Sequence, residues 1–436
     1  MSHHHVSFKD LPEGGEKFDP AKASKVIGTF GALAAIGLLG SAYYAFGTHG
    51  DTQKGFAYSW LYAIFVGFTF VAGGTFWILL HNASNSGWGV AVRRLFENLG
   101  TMALPLGILA LPLLIPGVQN TLWEWFGHHR AHPGLEGLHH AAESDPHLHP
   151  LVDKYGYLNI TFWTIRFVLY FGILWFISTK LRSYFLKQEA DGDIKHTVYA
   201  REFACMVLLP FALTVTFAAV DWIMALDYTW FSTMWGVYHF AGCAWSSMAA
   251  MLLLVIYLQS LGYLQKVVTG EHFHLMGKLL FAFTVFWAYI AFSQYFLIWY
   301  ANIPEETRFY FIRNTGVWRN VSIFIVIGHF VVPFVFLLQQ QLKKSPKFIG
   351  FWAAWVIFMH FVDIYWNVIP ERAHSMGLEP APGSDTPFLP GAWVGDVLAL
   401  CAVVGTIGYL YLRSLGKHSL YAWRDPRLLE SANVRN

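Results

Sequence analysis

Long apolar runs recur along the chain, and short polar segments separate them. A helix that crosses the hydrocarbon core of a bilayer needs roughly 20 mostly apolar residues. The pattern therefore predicts an all-α integral membrane protein with ten spanning helices, numbered one to ten in chain order. The predicted spans are 26–46, 57–80, 99–118, 157–178, 204–224, 239–263, 278–300, 318–340, 348–366 and 392–412.

Weak internal similarity divides these helices into two groups. An amphipathic stretch at 84–98 joins helices two and three, and another at 265–277 joins helices six and seven. Each pair leads into a polar segment and then a helix with an early arginine, Arg166 in one half and Arg319 in the other. We therefore predict two four-helix bundles, helices two to five and six to nine, with helices one and ten at the periphery.

Composition and charge placement support lipid as the solvent. Charged residues make up 13% of the chain, whereas soluble domains carry about 25%. Of the 29 lysines and arginines, 21 fall in segments on one side of the predicted helices and 7 on the other. Because cations collect on the cytoplasmic side, the end segments 1–25 and 414–436 are predicted to be cytoplasmic, and the long segments 119–156 and 367–391 to lie outside.

These two outer segments differ in composition. The second is rich in proline and glycine, which predicts extended or turn-like backbone. The first holds seven histidines between 127 and 149. His128 and His132 are four residues apart, a spacing that binds a transition metal when it is helical, but a flexible solvated loop is the expectation we favour, with no metal site.

Cysteine usage limits the cofactors of this chain. Cys205, Cys243 and Cys401 stand singly inside apolar runs, and no CxxC or CxxCH motif occurs. The sequence therefore predicts no cysteine-ligated iron–sulfur cluster and no covalently attached c-type haem on this chain. Any such centre would belong to other subunits.

Ionisable groups inside the membrane carry the main functional signal. Each costs roughly 2.5–3.5 kcal/mol at the centre of a spanning helix on insertion scales. On the predicted inner side, little occurs beyond His81, Glu97 and Lys278 near helix ends. Most of the others fall in the outer half or near the middle, which predicts a proton path or quinol-linked site on that side: Arg166, Asp221, Asp227, His239, His329, His360, Asp363 and Asp396.

Several of these groups leave two interpretations open. His360 and Asp363 are three residues apart on one helical face, so they either form a proton-transferring pair or make structural hydrogen bonds. The aromatic segment 221–233 either receives a flat quinone head or forms an interfacial belt and helix cap. Glu305 and Arg308, in the turn after helix seven, either belong to the site or form a capped turn.

Three stretches together resemble a known family. They are KYGYLN at 154–159, the segment from DWIM at 221–224 to WFST at 230–233, and the segment from SQY at 293–295 to WYANIPEET at 299–307. These resemble membrane subunits of bacterial alternative complex III, a quinol:electron-acceptor oxidoreductase related to the polysulfide reductase membrane-subunit (NrfD-like) family. Chain length and ten helices are similar to the smaller of its two homologous core subunits.

The resemblance implies a place in a respiratory or photosynthetic complex of a bacterial inner membrane. Such complexes oxidise quinol and pass electrons to iron–sulfur clusters and c-type haems on separate outer-face subunits. The smaller core subunit is associated with a proton-conducting half-channel and with quinone binding, beside the homologous larger subunit.

Two other classes of function fit the same sequence. A secondary transporter would suit two related bundles with ionisable groups near the membrane centre, although no pair of Gly- or Pro-broken helices occurs at matching positions. A purely structural anchor would merely satisfy each buried polar group with a neighbour. The leading expectation is an integral subunit of a quinol-oxidising complex that handles protons through the outer-half groups.

Overall fold

A computed structural model describes residues 5–375 and 392–435, and it is almost entirely helical. No β-strand occurs among these residues. Ten of their helices are long and apolar enough to cross a membrane, so the chain is an all-α, multi-pass membrane protein, as predicted. In chain order the spans are Pro20–Gly47, Asp51–Ala83, Val90–Leu114, Ile160–Asp191, Lys195–Leu226, Trp235–Ser260, Gly270–Ala301, Gly316–Leu337, Pro346–Ala373 and Ala392–Leu415.

Helix two lies at the centre of the protein and is buried on nearly every side. It packs against helices three and five and, on its other side, against helices six and ten. Gly73 permits the contact with helix six, because a Cβ there would overlap the backbone carbonyl of Cys243. Helix six packs in turn against helices seven and nine, so the two four-helix groups meet along helices two and six.

Helices one and ten pack against each other along their length. Small residues make this close approach feasible, as is common between helices in membranes. A Cβ at Gly405 would lie 2.5 Å from the backbone nitrogen of Ala34, and one at Gly37 would overlap the backbone of Ala402. Helix ten also packs on helix two, which attaches the pair to the first group.

Helix three starts earlier than its apolar pattern indicates. Residues from 90 onwards in the amphipathic stretch that we placed in a loop form the helix Val90–Gly100, and every residue of it is buried. The span continues as Ala103–Ala110 and a 3-10 turn, Leu111–Leu114. The prediction was wrong here because charged side chains on this helix form ion pairs inside the protein rather than facing water.

Helix eight contains a π-helical turn, Val326–Val331, between the α-helical segments Gly316–Ile325 and Val332–Leu337. Pro333 lacks the N–H that would close the α-helical hydrogen bond to His329. The indole of Trp355 donates a hydrogen bond of 2.7 Å to the carbonyl of Gly328. The irregular turn is therefore supported by a side chain from helix nine.

Ten crossings place both chain ends on one face, which we call the terminal face, and the long segment after helix three on the other, the loop face. That long segment is not a flexible loop, contrary to the prediction. It folds into short helices anchored by buried Trp125, Leu138 and Leu148. These helices are Pro116–Leu122, Glu124–Ala131, Gly134–Ser144 and His149–Asp153.

The second long segment begins with ordered helix. The α-helix of span nine runs Pro346–Val368, and a further helix follows at Glu371–Ser375. The prediction of extended or turn-like backbone is therefore wrong for the helical residues of 367–375 and holds only at the turn 369–370, while 376–391 lie outside the described residues. Another loop-face helix, Pro304–Arg313, joins helices seven and eight.

Candidate functional site

Arg166 and Asp221 form a buried ion pair at the loop-face end of the first helix group. Arg166 donates to both carboxylate oxygens, from Nε at 2.7 Å and from Nη2 at 2.8 Å. The hydroxyl of Tyr170 also donates to this carboxylate, and the guanidinium lies 3.9 Å from the ring centroid of Tyr157. A bidentate pair with a third donor is saturated, which favours a structural role.

Asp227 pairs with Arg308 on the loop face, across two separate segments. The backbone N–H of Thr229 donates to the same aspartate at 3.0 Å. Nearby, Lys154 donates to the carbonyl of Tyr228 at 2.6 Å, and burial lowers the pKa of its amine while Asp227 opposes that change. Glu305 lies apart from this network, exposed at the start of its helix.

Asp396 also forms a buried ion pair with an arginine, and further donors bind its carboxylate. Arg372 donates to it, the hydroxyl of Ser59 donates at 2.6 Å, and that of Tyr365 at 2.8 Å. Asp396 and Arg372 are both buried. These contacts tie helix ten to helix two and to the end of span nine.

Asp363 differs from these three acids. It is 1% exposed, and no lysine or arginine among the described residues pairs with it. The hydroxyl of Tyr238 donates to Oδ1, and the Asn367 amide approaches the same oxygen at 3.3 Å. A buried carboxylate without a cation is costly when ionised, so the arrangement favours a group that takes up and releases a proton.

His360 and Asp363 do not form the hydrogen-bonded pair that was one of the two interpretations. His360 instead makes a 2.8 Å hydrogen bond through Nε2 to the hydroxyl of Thr69, and its Nδ1 has no partner among the described residues. The two side chains therefore belong to neighbouring parts of one polar region rather than to a hydrogen-bonded dyad.

Two further histidines lie in this interior with both ring nitrogens unpartnered among the described residues: His239 and His329. They are 2% and 0% exposed. The ring of His239 packs edge-on to Tyr238, with centroids 5.1 Å apart. Buried polar atoms in native proteins nearly always have a partner in protein or water, so these nitrogens are suited to ordered water or to a transferable proton.

Aromatic side chains hold His329 in place. Its ring lies between the indoles of Trp245 and Trp287, with centroids 3.8 and 3.6 Å away. Trp287 also packs against Tyr238, with centroids 5.6 Å apart. Ring contacts therefore connect the π-turn of helix eight with the hydroxyl that binds Asp363.

Most of the aromatic segment, at 221–230, forms packed core rather than an interfacial belt, whereas Phe231 is exposed. Trp222 and Trp230 are fully buried, as are Trp123 and Trp125. Trp230 stacks on Phe309, with centroids 4.3 Å apart. Because protein rings occupy these indole faces, they are not free to receive a flat ring ligand.

The terminal side of the membrane region is also charged, against our expectation. Arg93, Arg94 and Glu97 are buried at the start of helix three, and Arg94 contacts Glu97 at 2.9 Å. Arg94 also pairs with Glu189 at the end of helix four. The sequence placed both arginines in the amphipathic stretch that joins helices two and three, so the predicted polarity towards the loop face was incomplete.

Comparison with models of known protein families finds no match for this chain, and comparison with curated proteins finds none either. Among the described residues, no group of three or more His, Cys, Asp or Glu side chains converges to hold a metal ion. In the histidine-rich segment, His128 approaches Glu124 at 3.5 Å and His140 approaches Glu143 at 3.3 Å.

Sequence reasoning missed the partners that distinguish these acids. Tyr238, Asn367 and Arg372 were not predicted, nor were Arg313 and Glu371, which pair at 3.0 Å near the end of span nine. Burial lowers the pKa of the Arg313 guanidinium, and Glu371 opposes that change. Tyr238 directly precedes a predicted site residue, His239, but no spacing relates it to Asp363.

Proposed function

We propose that this chain is an integral subunit of a quinol-oxidising electron-transfer complex in a bacterial inner membrane. Its own contribution is a proton-conducting half-channel that opens towards the loop face, taken as the outer face. Iron–sulfur clusters and c-type haems are carried by partner subunits, and a homologous larger membrane subunit lies beside it. The motifs at 154–159, 221–233 and 293–307 support the assignment to the NrfD-like subunits of alternative complex III.

One observation carries the proton-conducting role. Asp221, Asp227 and Asp396 each bind an arginine, whereas Asp363 is fully buried and binds only neutral groups. An acid paired with arginine stays ionised and holds no proton to pass on. Among the described residues, Asp363 is the acid of this set that has no arginine to hold it in the ionised form.

The chemistry that this site serves is the release of quinol protons. Oxidation of a quinol to a quinone gives up two electrons and two protons, and the electrons leave through metal centres on other chains. Asp363 accepts a proton, and the ring nitrogens of His239, His329 and His360 bind the water that connects it to neighbouring groups. Tyr238 orients the carboxylate through its hydroxyl.

The decisive experiment replaces Asp363 with asparagine in the assembled complex. Quinol oxidation and proton release are measured per assembled complex. We expect both to fall on the order of 100-fold, the lower range for loss of one acid–base group. Asp51→Asn is the matched control, because Asp51 is an exposed acid on the same face, in the first turn of helix two.

A second variant separates proton handling from packing. Tyr238→Phe keeps the ring and removes only the hydroxyl that binds Asp363. We expect a smaller loss of turnover with unchanged assembly. Wild-type quinol oxidation and proton release in Asp363→Asn would remove this residue from the mechanism and leave a scaffolding role.

A structural role is favoured for the other acids of the region. The closed pairs of Asp221 with Arg166 and of Asp396 with Arg372 join different helices and are already saturated with donors. Their substitution is expected to reduce the amount of complex rather than its turnover. A secondary transporter gains no comparable support, and purification distinguishes it, because a transporter would be isolated without haem-containing partners.

A further inference from the structure

The two chain ends fold together on the terminal face. The N–H of Leu420 donates to the carbonyl of Glu16 at 2.8 Å. Asn433 exchanges two hydrogen bonds of 2.9 Å with the backbone of Val6. We call these two segments, 5–23 and 416–435, the terminal clamp.

The C-terminal part of the clamp is bound to the first helix group. Asp425 is 0% exposed and lies 3.0 Å from the guanidinium of Arg93. Arg424 donates to the carbonyl of Ala190 at the end of helix four, at 2.8 Å. Arg93 also approaches Glu97 at 3.3 Å, so the tail supplies one carboxylate of a buried charge network.

The same clamp reaches the second helix group. Glu16 accepts a 2.6 Å hydrogen bond from the N–H of Leu264, in the connection between helices six and seven. The hydroxyl of Tyr263, in the same connection, accepts a hydrogen bond of 3.0 Å from the N–H of Asp19. The hydroxyl of Ser431 lies 3.4 Å from His272 Nε2 and donates to the carbonyl of Trp88 at 2.7 Å.

We propose that the terminal clamp locks the two helix groups together and closes the terminal face to protons. It is bound to helices three and four on one side and to helix seven and its preceding connection on the other. The half-channel around Asp363 is then open only towards the loop face. The locking does not depend on the proposed function, whereas the closure to protons rests on it.

The locking is tested by hydrogen exchange on the full-length protein. Asp425→Asn removes the charge that binds Arg93. Glu430→Gln is the matched control, because Glu430 is an exposed acid in the short helix Leu428–Ala432 that follows. In Asp425→Asn we expect exchange about tenfold faster or more in segments 84–93 and 263–275, the scale of one lost charged hydrogen bond. Wild-type exchange in segment 263–275 would overturn the locking.

The closure is tested by proton leakage. The full-length chain is reconstituted in vesicles that contain a pH-sensitive dye, and the decay of an imposed pH difference is recorded. We expect faster decay for Asp425→Asn and wild-type decay for Glu430→Gln. Asn433→Ala removes the two hydrogen bonds to Val6 and one to the carbonyl of Leu429, and it supplies a milder variant if Asp425→Asn does not fold.

A double variant separates this inference from the proposed function. If Asp425→Asn leaks and Asp425→Asn with Asp363→Asn does not, the clamp closes the path that contains Asp363. If both leak equally, the clamp closes the terminal face and the path through Asp363 is refuted. If no folded clamp variant leaks faster than wild type, the proposed closure is refuted.

Discussion

Replacing Asp221 with asparagine should separate the stability of the protein from its turnover. The change removes the negative charge opposite Arg166 but keeps the size of the side chain. Asp221 accepts two hydrogen bonds from Arg166, at 2.7 and 2.8 Å, and one from Tyr170. An amide has one acceptor oxygen, so at least one arginine contact loses its partner.

The expected magnitude follows from the burial of the pair. Asp221 is 0% exposed and Arg166 is 6% exposed. Removing one partner of a buried ion pair costs about 3–5 kcal/mol, because the other charge is left uncompensated. Replacing both partners by neutral groups is far less costly. We therefore expect Asp221→Asn with Arg166→Met to recover most of the stability that Asp221→Asn loses.

The assay is a double-mutant cycle on the free energy of unfolding in mixed micelles, combined with quinol oxidation per assembled complex. We expect a favourable coupling energy of at least about 2 kcal/mol between Arg166 and Asp221, and near-normal turnover of the complex that assembles. Additive stability changes would refute the structural assignment. So would a loss of turnover equal to that of Asp363→Asn, since Asp221 would then belong to the proton path.

Two further predictions concern packing and pH. Gly405→Leu should force helices one and ten apart near Ala34, and this overpacking should lower the free energy of unfolding by about 1–3 kcal/mol. Gly28→Leu is the control, because Gly28 faces open space, and it should leave the stability unchanged. Equal melting temperatures for the two variants would contradict the contact between helices one and ten. Burial lowers the pKa of His129 below its ordinary 6.5, so the folded segment 124–153 favours the neutral imidazole. As the pH falls below about 6.5, the unfolded segment takes up a proton more readily than the folded one, and the segment should become more sensitive to protease. That dependence should vanish in His129→Gln and persist in His128→Gln; an unchanged pH profile in His129→Gln would contradict it.

The spanning helices were predictable because lipid imposes a simple rule on them. A long apolar run signals a helix whatever it packs against, so all ten spans were found from the sequence. The predicted helix boundaries were wrong where tertiary contacts stabilise polar residues inside the protein. Helix three begins at Val90, beside the charges of Arg93 and Arg94, because acids from other helices and from the C-terminal segment neutralise them.

The candidate site was predictable by residue type but not by role. Costly ionisable residues in apolar runs correctly pointed to Asp221, Asp363 and Asp396 as buried groups. Whether each has a cation depends on residues distant in sequence. Arg166 lies 55 positions from Asp221, and no local period relates the two. The sequence thus located the acids, but only the packing of the helices distinguishes acids that pair with an arginine from Asp363, which pairs with no described arginine.

The connections between the two helix groups also bear on the class of function. Alternating access in a transporter requires one helix group to move against the other. Here the groups are in close backbone contact at Gly73, and the clamp adds bonds to both groups on the terminal face. A proton relay needs only a carboxylate whose charge changes within a fixed frame, as the surroundings of Asp363 permit. The rigid connection of the two groups therefore favours a fixed half-channel over a rocking carrier.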